Sequence, residues 1–344
     1  MLVRVEPALA RLSRMTTLPV AAADSGGRRW ADRLGDRLLR GLTIAACLAA
    51  VVVIALIIEQ LFDGASASIS AFGVGFLWHS IWNPSLSTGV INANVYGAAV
   101  LIYGTVVTSV IALVIAVPLG IAIGVYLSLL APGRAGAVIG PLVELLAAVP
   151  SVIIGLWGII ILAPFMHSTI EPVLHDVLGW IPIFGAPTPT GLGVFTAGVV
   201  LAIMVLPIIA AISRDLFLSV PRELKDGALA LGATRWEMIR GVVLNSTRPG
   251  LAAATILGLS RALGEAVAVT QVIGAGTNIS TSLFANGDSL ASRIAEQFIG
   301  AVSKLQTASL FYCAVILLVM ELVANLAAQL IVRRFERSMG LAAR

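Results

Sequence analysis

The sequence predicts an all-α integral membrane protein with six transmembrane helices. Its composition excludes an ordinary soluble domain, because 58% of the 344 residues are hydrophobic, only 12% are charged, and the mean hydropathy is +1.00. The apolar residues form stretches long enough to cross a hydrocarbon core of about 30 Å. The charged residues lie mostly between these stretches, and ten of them occur between Ser213 and Pro249.

The predicted spans are six apolar stretches: residues 42–58, 97–130, 138–165, 192–212, 251–275 and 307–332. The second is longer than one straight crossing requires and contains Pro118, so we expect it to be tilted, kinked or projecting from the bilayer. In the third, Pro150 is expected to interrupt the helix just before Ser151. Glu144 and Glu321 are expected near the cytoplasmic ends of their spans, snorkelling to the interface.

The positions of the cations predict the orientation, because cytoplasmic loops retain Lys and Arg. In a six-span arrangement 19 of the 22 lie on one side, only Arg293 and Lys304 lie on the other, and Arg261 lies within a span. Both termini are therefore predicted to be cytoplasmic. The net charge of +4 reflects this topology and does not indicate a nucleic-acid partner.

The same reasoning divides the chain into four parts. Residues 1–40 are predicted to be a basic cytoplasmic tail that is disordered or lies on anionic lipid. Residues 41–94 hold the first span and an extracytoplasmic loop, and residues 95–333 hold the other spans with a cytoplasmic loop at 214–248. Residues 334–344 are a C-terminal cytoplasmic tail.

The sequence predicts neither catalysis nor a bound cofactor. The three histidines, His79, His167 and His175, lack metal-ligand spacing, so we expect solvent-exposed side chains and no metal site. The chain has only two lysines, Lys225 and Lys304, and contains no phosphate-binding Gly-x-x-x-x-Gly-Lys-Ser/Thr motif. Any ATP that drives this protein must therefore be hydrolysed by another subunit.

The charged segment has a helix, glycine, helix pattern. Pro221 suits a first helical turn, Glu223 and Asp226 lie near the positive end of the helix dipole, and Gly232 interrupts the run. A second short helix is predicted from Thr234 to about Leu244.

This segment resembles the coupling loop of bacterial ABC importer permeases, which reads Glu-Ala-Ala, three residues, Gly, nine residues, Ile, one residue, Leu-Pro. Here the spacing is kept by Asp226-Gly227-Ala228, Gly232, Val242 and Leu244, with three departures: Asp226 for glutamate, Gly227 for an alanine and Asn245 for the usual proline. The resemblance implies that the 221–244 loop docks on an ATP-hydrolysing subunit, through Glu223, Asp226, Gly227, Ala228, Gly232 and Ala233. The alternative is an ordinary cytoplasmic loop of a polytopic protein.

Within the fifth span, Arg261 and Glu265 are four residues apart, which would place them on one helix face. Burying an arginine in a membrane costs several kcal/mol, so it should face a partner helix or an aqueous pathway. One hypothesis is that Glu265 only neutralises Arg261 and locks helices together. The other is that Arg261 offers its donors to a tetrahedral oxyanion while Glu265 tempers the affinity. Ser151 is a weaker candidate for the same pathway.

Residues 260–270, 149–158 and 221–236 together resemble phosphate-importer permeases of the PstC type, and the likeness covers about residues 96–332. It implies the architecture of a type I ABC importer permease in a bacterial cell membrane, with the charged residues of the fifth span linked to phosphate passage. The implied partners are a second permease of the PstA type, two PstB-type ATP-binding subunits and an extracytoplasmic PstS-type phosphate-binding protein.

Three alternatives remain open from the residues alone. The substrate could be another oxyanion, such as phosphonate, sulfate or molybdate. The protein could instead be a secondary transporter driven by a proton or sodium gradient. A membrane scaffold without transport is the third alternative.

Overall fold

The computed structural model describes residues 30–83, 96–131 and 133–338. Most of the predicted basic tail of residues 1–40 and the end of the predicted C-terminal tail, residues 339–344, lie outside the described residues. The chain divides into two compact units, residues 1–59 and 60–344.

The described residues form eleven longer or α-helical segments and one short 3-10 helix, Gly73–Leu77, and the predicted all-α fold is confirmed. The helices are α1 Trp30–Phe72, α2 Ala99–Leu130, α3 Gly133–Ala147, α4 Ser151–Leu178, α5 Val194–Ser219, α6 Arg222–Ala230, α7 Arg235–Met238, α8 Leu244–Gly264, α9 Val267–Val272, α10 Leu290–Gln297 and α11 Lys304–Ser338. A wider helical turn, Ile239–Val243, joins α7 to α8 without a break. Within the described ranges the one isolated β-bridge pairs Trp82 with Tyr96.

Five helical stretches of the described chain are long and apolar enough to cross a membrane: Gly35–Leu77, Ala99–Leu130, Ser151–Leu178, Val194–Ser219 and Lys304–Arg334. The predicted fifth span is not among them, since it consists of α8 and α9, separated by the extended Glu265 and by Ala266. Six crossings are compatible with this arrangement and remain a prediction.

Two predicted spans are not continuous helices. The third, residues 138–165, is divided between α3 and α4 at Pro150, which has the extended ψ of 137°. A proline lacks the N–H needed to continue a helix, so the break falls where the sequence indicated it. The fifth, residues 251–275, ends its first helix at Gly264, because Glu265 has an extended ψ of 117°.

Close helix contacts at glycines fix the direction of the largest packed pair, α2 and α5. A Cβ at Gly120 would lie 2.8 Å from Ile209 Cγ2, and one at Gly124 would lie 2.7 Å from Ser213 Cβ. Both contacts advance by four residues on each helix, so α2 and α5 run parallel. Side chains from these helices, among them Ala112, Ala116 and Val205, form the main buried core.

The remaining helices alternate in direction. Helix α8 is antiparallel to α5, because Gly258 meets Val205 whereas the earlier Gly250 meets the later Leu216. Helix α9 is parallel to α4, since Gly155 meets Ala268 and Gly158 meets Val272. These directions are those expected of spans that cross one after another.

In the first unit, the side chains of residues 35–59 on α1 are exposed. They are mostly apolar, from Leu38 through Ile58. A helix with this composition is stable when lipid or another protein surrounds it, because exposure of so much apolar surface to water is unfavourable.

A loop segment after α9 packs onto the start of α2 and buries charges that the sequence did not single out. The carbonyl of Asp288 fills the place where a Cβ of Gly104 would lie, and the Leu290 N–H donates to Thr105 Oγ1 at 3.0 Å. The Asp288 carboxylate pairs with Arg293 beneath the surface. Burial raises the pKa of Asp288, and the Arg293 guanidinium opposes that shift.

We expect the Asp288–Arg293 pair to anchor this segment. Arg293→Met leaves a buried carboxylate without its cation, which should destabilise the fold by about 3–5 kcal/mol. Combining it with Asp288→Asn should recover most of the loss. The thermal unfolding midpoint of the purified protein in detergent measures both effects, and an unchanged midpoint for Arg293→Met would contradict an anchoring role.

Candidate functional site

The predicted helix, glycine, helix pattern of the charged segment is confirmed. Helix α6 follows Pro221, and the chain turns at Gly232, whose φ of +90° lies in the left-handed region that favours glycine. Thr234 then caps α7: its hydroxyl accepts the N–H of Glu237, and the Glu237 carboxylate accepts the N–H of Thr234. The predicted end near Leu244 is wrong, because this second helix continues directly into α8.

Two contacts hold the loop against the end of the helical bundle. The Lys225 ammonium donates to the backbone oxygen of Phe217 at 2.8 Å, which satisfies a carbonyl near the end of α5. Desolvation by burial lowers the pKa of Lys225, and nearby Arg222 lowers it further while Asp226 opposes the shift. Ala228 packs against a buried apolar cluster: Phe217, Val220, Met238, Ile239 and Val243. The loop is therefore a fixed part of the structure.

The opposite side of the loop exposes large apolar side chains among charged ones. Leu231 is 92% exposed, Trp236 65% and Leu224 53%. Of the residues that the sequence indicated, Glu223, Asp226, Gly227 and Gly232 are exposed, whereas Ala228 and Ala233 are half-buried. We call this side the loop surface, and define it by Glu223, Leu224, Asp226, Gly227, Leu231 and Trp236. Exposed leucine and tryptophan side chains around charged ones are typical of a protein–protein contact.

The second predicted site lies at the break between α8 and α9. The expectation that Arg261 and Glu265 share a helix face is wrong, because α8 ends at Gly264 and Glu265 is extended. The Glu265 carboxylate instead accepts the N–H of Ala268 at 3.3 Å, at the beginning of α9. Arg261 is exposed and, among the side chains that the structure describes, has no carboxylate within 4.0 Å.

Ser151 lies at the same level of the bundle as this break. Helices α4 and α9 run parallel, with Gly155 against Ala268. Ser151 is one turn before Gly155 on α4, and Glu265 is three residues before Ala268. The beginnings of α4 and α9 therefore lie side by side, which places Ser151 and Glu265 within about one turn of each other along the bundle.

Helix α11 adds a carboxylate that sequence analysis did not connect with this break. Glu321 Oε1 lies 3.0 Å from the position of a Cβ on Gly264, so it lies beside the α8–α9 break. One turn along, Ser260 donates a hydrogen bond to Asn325 Oδ1 at 2.7 Å. Glu321 therefore contacts a neighbouring helix, and its expected position near the cytoplasmic end of the span stays a prediction. The sequence did carry a sign of this contact, because Glu321 is the one acidic residue in the apolar stretch 307–332.

Glu144 behaves differently from Glu321. Its carboxylate accepts a hydrogen bond from the Arg214 guanidinium at 2.7 Å, and both side chains are partly exposed. Arg214 belongs to the charged segment at 214–248, so this pair lies on the same side as the loop surface. An exposed pair of this kind contributes little, about 0–1 kcal/mol.

His167 and His175 form hydrogen bonds with backbone carbonyl groups of the loop that follows α4. His167 Nδ1 lies 2.6 Å from the carbonyl of Thr188, and His175 Nδ1 lies 3.0 Å from that of Phe184. Between them on α4, the buried Glu171 accepts the N–H of Thr188. His167 is exposed as expected, but His79 and His175 are half-buried. The described side chains include no group of three His, Cys, Asp or Glu that could hold a metal ion.

Comparison with known proteins gives consistent matches. A family model described as "Binding-protein-dependent transport system inner membrane component" matches residues 116–339. The "Phosphate transport system permease protein PstC" of Mesorhizobium japonicum is 40% identical over 324 residues, which cover 93% of this chain and 96% of that protein. The protein of the same name from Pasteurella multocida is 40% identical over 308 residues, covering 89% of this chain and 94% of its own.

A solved structure supports the fold. A chain in the crystal structure of a bacterial alginate ABC transporter, in complex with an alginate pentasaccharide-bound periplasmic protein, has a TM-score of 0.59 at 16% identity. The match covers 90% of this chain and 98% of that one.

Proposed function

Because the chain belongs to the family of binding-protein-dependent transport system inner membrane components, we propose that it is the permease subunit of an ATP-driven importer that carries inorganic phosphate into the cell. The observation that carries the proposal is Arg261, an arginine that lies one turn before the α8–α9 break in an apolar helical bundle. The names of the relatives at 40% identity support phosphate as the substrate. The chain is a transport subunit and not an enzyme.

The loop surface is the part of the chain best suited to receive the energy of ATP. The sequence holds no motif for binding ATP phosphates, so in an ATP-driven importer the ATP is bound by a separate subunit that docks on this chain. The loop surface supports such docking, because it is fixed to the bundle by Lys225 and Ala228 and exposes Leu231 and Trp236. The second helix of the loop, α7, continues into α8. Helix α8 carries Arg261 in its last turn and ends at the α8–α9 break. A displacement of the loop would therefore reach the α8–α9 break through one continuous helix.

At the break, Arg261 supplies the chemistry that an oxyanion needs. A guanidinium presents two parallel N–H donors that match two oxygens of a phosphate, and these hydrogen bonds are strengthened by charge. Ser151 adds a hydroxyl at the same level, and Glu265 adds a negative charge that keeps the binding weak enough for release. Interrupted helices are tolerated in a membrane where they line a cavity, which supports a pathway at this level.

The assembly that follows has a second permease of the PstA type, two ATP-binding subunits of the PstB type and an extracytoplasmic phosphate-binding protein of the PstS type. No cofactor is assigned to this chain. Both termini and the loop surface are cytoplasmic, and the segment from Gly274 to Ser303 is extracytoplasmic, as the distribution of Lys and Arg favours.

The pathway is tested with Arg261→Gln in the assembled transporter. The loss of two charge-assisted hydrogen bonds should lower phosphate uptake by about 100-fold while the protein still reaches the membrane. Arg261→Lys keeps the charge without the fork and should fall between. Uptake of labelled phosphate into proteoliposomes measures this, with sulfate, phosphonate and molybdate as competitors. Stronger competition by another oxyanion, or uptake driven by an ion gradient without ATP, would contradict the proposal.

The role of the loop is tested with Gly232→Val, with Gly227→Ala as a matched control. Neither glycine has an atom within 4 Å of its would-be Cβ, so neither substitution causes a clash. Only Gly232 has a left-handed φ, so valine should distort the turn there, whereas Gly227→Ala should strengthen α6 by about 1 kcal/mol. We expect Gly232→Val to hydrolyse ATP without transport and Gly227→Ala to transport normally. Wild-type uptake by Gly232→Val at normal abundance would contradict the coupling role.

The orientation is tested with single cysteines at Thr277 and Arg134, in a protein whose Cys47 and Cys313 are replaced by alanine. Thr277 is exposed in the loop after α9, and Arg134 lies between the second and third predicted spans. An impermeant thiol reagent added to intact cells should label position 277 only. Labelling of position 134 would reverse the topology.

A further inference from the structure

Three ionisable residues lie around the α8–α9 break, and their charges do not balance. Arg261 carries one positive charge, and Glu265 and Glu321 each carry a carboxylate. An unpaired charge at membrane depth is costly, so Arg261 requires an anionic partner whenever no substrate is bound. The two carboxylates differ in the hydrogen bonds that they already make.

The Glu265 carboxylate already has a hydrogen-bond partner at the beginning of α9. The backbone of Glu265 is extended, and the carboxylate accepts the N–H of Ala268. An N–H at the beginning of a helix has no helical acceptor, so the interaction serves α9. To pair with Arg261, Glu265 would have to leave that N–H without a partner.

Glu321 makes no comparable hydrogen bond within the part of the chain that the structure describes. Its carboxylate has no hydrogen-bond partner there, although it lies against Gly264. The antiparallel seam of α8 and α11 fixes its position, because Ser260 pairs with Asn325 and Gly264 with Glu321, one turn apart on both helices. Arg261 is three residues before Gly264, about 4.5 Å along the α8 axis, which a rotation of its long side chain can span.

We propose that Glu321, and not Glu265, is the positioning residue that neutralises Arg261 when the pathway is empty and releases the guanidinium to the incoming phosphate. This inference rests on the proposed function. Glu321 acts through Arg261 and competes with the substrate for the same donors. Its carboxylate returns to Arg261 as the anion leaves, so that the cation is at no stage left unpaired in the membrane.

The proposal predicts changes in both the apparent KM and the maximal rate of phosphate uptake. Without the charge of Glu321, phosphate no longer displaces a carboxylate, so the apparent KM for uptake should fall by about fivefold, the change expected for one ion pair in a partly hydrated site. The maximal rate should fall as well, because release of the anion is no longer assisted. A residue that only packs α11 on α8 would lower abundance and leave KM unchanged.

The experiment compares Glu321→Gln, Glu321→Asp and Asn325→Ala in the assembled transporter. Asn325→Ala removes the neighbouring contact of the same seam without changing a charge, so it controls for loss of packing. We expect the lower KM and lower maximal rate only in Glu321→Gln, near-normal values in Glu321→Asp, and an unchanged KM in Asn325→Ala. An unchanged KM in Glu321→Gln, or the same KM shift in Asn325→Ala, would overturn the proposal.

A second comparison identifies the partner of Arg261 from membrane abundance. Arg261→Gln leaves its carboxylate unpaired, so this variant should reach the membrane in a smaller amount than the wild type, and adding the partner's substitution should restore that amount. We expect Glu321→Gln to restore it and Glu265→Gln not to. Restoration by Glu265→Gln alone would overturn the assignment.

The two sets of variants separate this inference from the function on which it rests. Undiminished phosphate uptake by Arg261→Gln would remove the pathway itself, whatever Glu321 does. Loss of uptake in Arg261→Gln with unaltered kinetics in Glu321→Gln would remove only the role of Glu321.

Discussion

Inside a membrane every backbone N–H and C=O must find its hydrogen-bond partner within the protein, because the hydrocarbon supplies none. Helices satisfy this requirement along their length, so a break in a span is costly unless protein or a water-filled cavity surrounds it. Helical structure is interrupted at two places within the predicted spans, before Ser151 and after Gly264. Both breaks lie at one level, because α4 and α9 run parallel with Gly155 against Ala268. The carboxylate of Glu265 then supplies a partner for one of the freed N–H groups.

The close packing that places these breaks depends on small residues. A side chain at Gly120, Gly124 or Gly258 would overlap a neighbouring helix, so these positions let the helix axes approach and fix their relative register. Without a hydrophobic driving force between helices in lipid, such contacts and a few polar ones hold the bundle together. The hydrogen bond from Ser260 to Asn325 is one of the polar contacts, and it sets Glu321 beside Gly264.

The two candidate sites are connected by one helical path. The segment that carries the loop surface begins with α6 and turns at Gly232. It then continues through α7 into α8, which ends at the α8–α9 break. The capping pair of Thr234 and Glu237 stabilises the beginning of α7, because it satisfies two N–H groups that have no helical acceptor. A rigid connection of this kind can carry a displacement from a partner protein to a binding site, provided that the helix moves as a unit.

The sequence by itself determined the features that depend on composition and local pattern. Apolar stretches long enough to cross a bilayer predicted the helical membrane fold, and Gly232 predicted the turn in the loop, since a left-handed φ favours glycine. Pro150 predicted the break in the third span, because proline has no N–H to donate. Arg261 stood out because an arginine within an apolar stretch requires a partner.

Only the tertiary structure decided what those residues meet. The i to i+4 spacing of Arg261 and Glu265 indicated one helix face, but it assumed an unbroken helix, whereas α8 ends at Gly264 and α9 packs separately on α4. The position of Glu321 depends on the register of α11 against α8, two segments far apart in sequence. The burial of Asp288 with Arg293 depends likewise on a loop that packs onto the start of α2. Pairings between distant segments are set by packing, for which local periodicity carries no information.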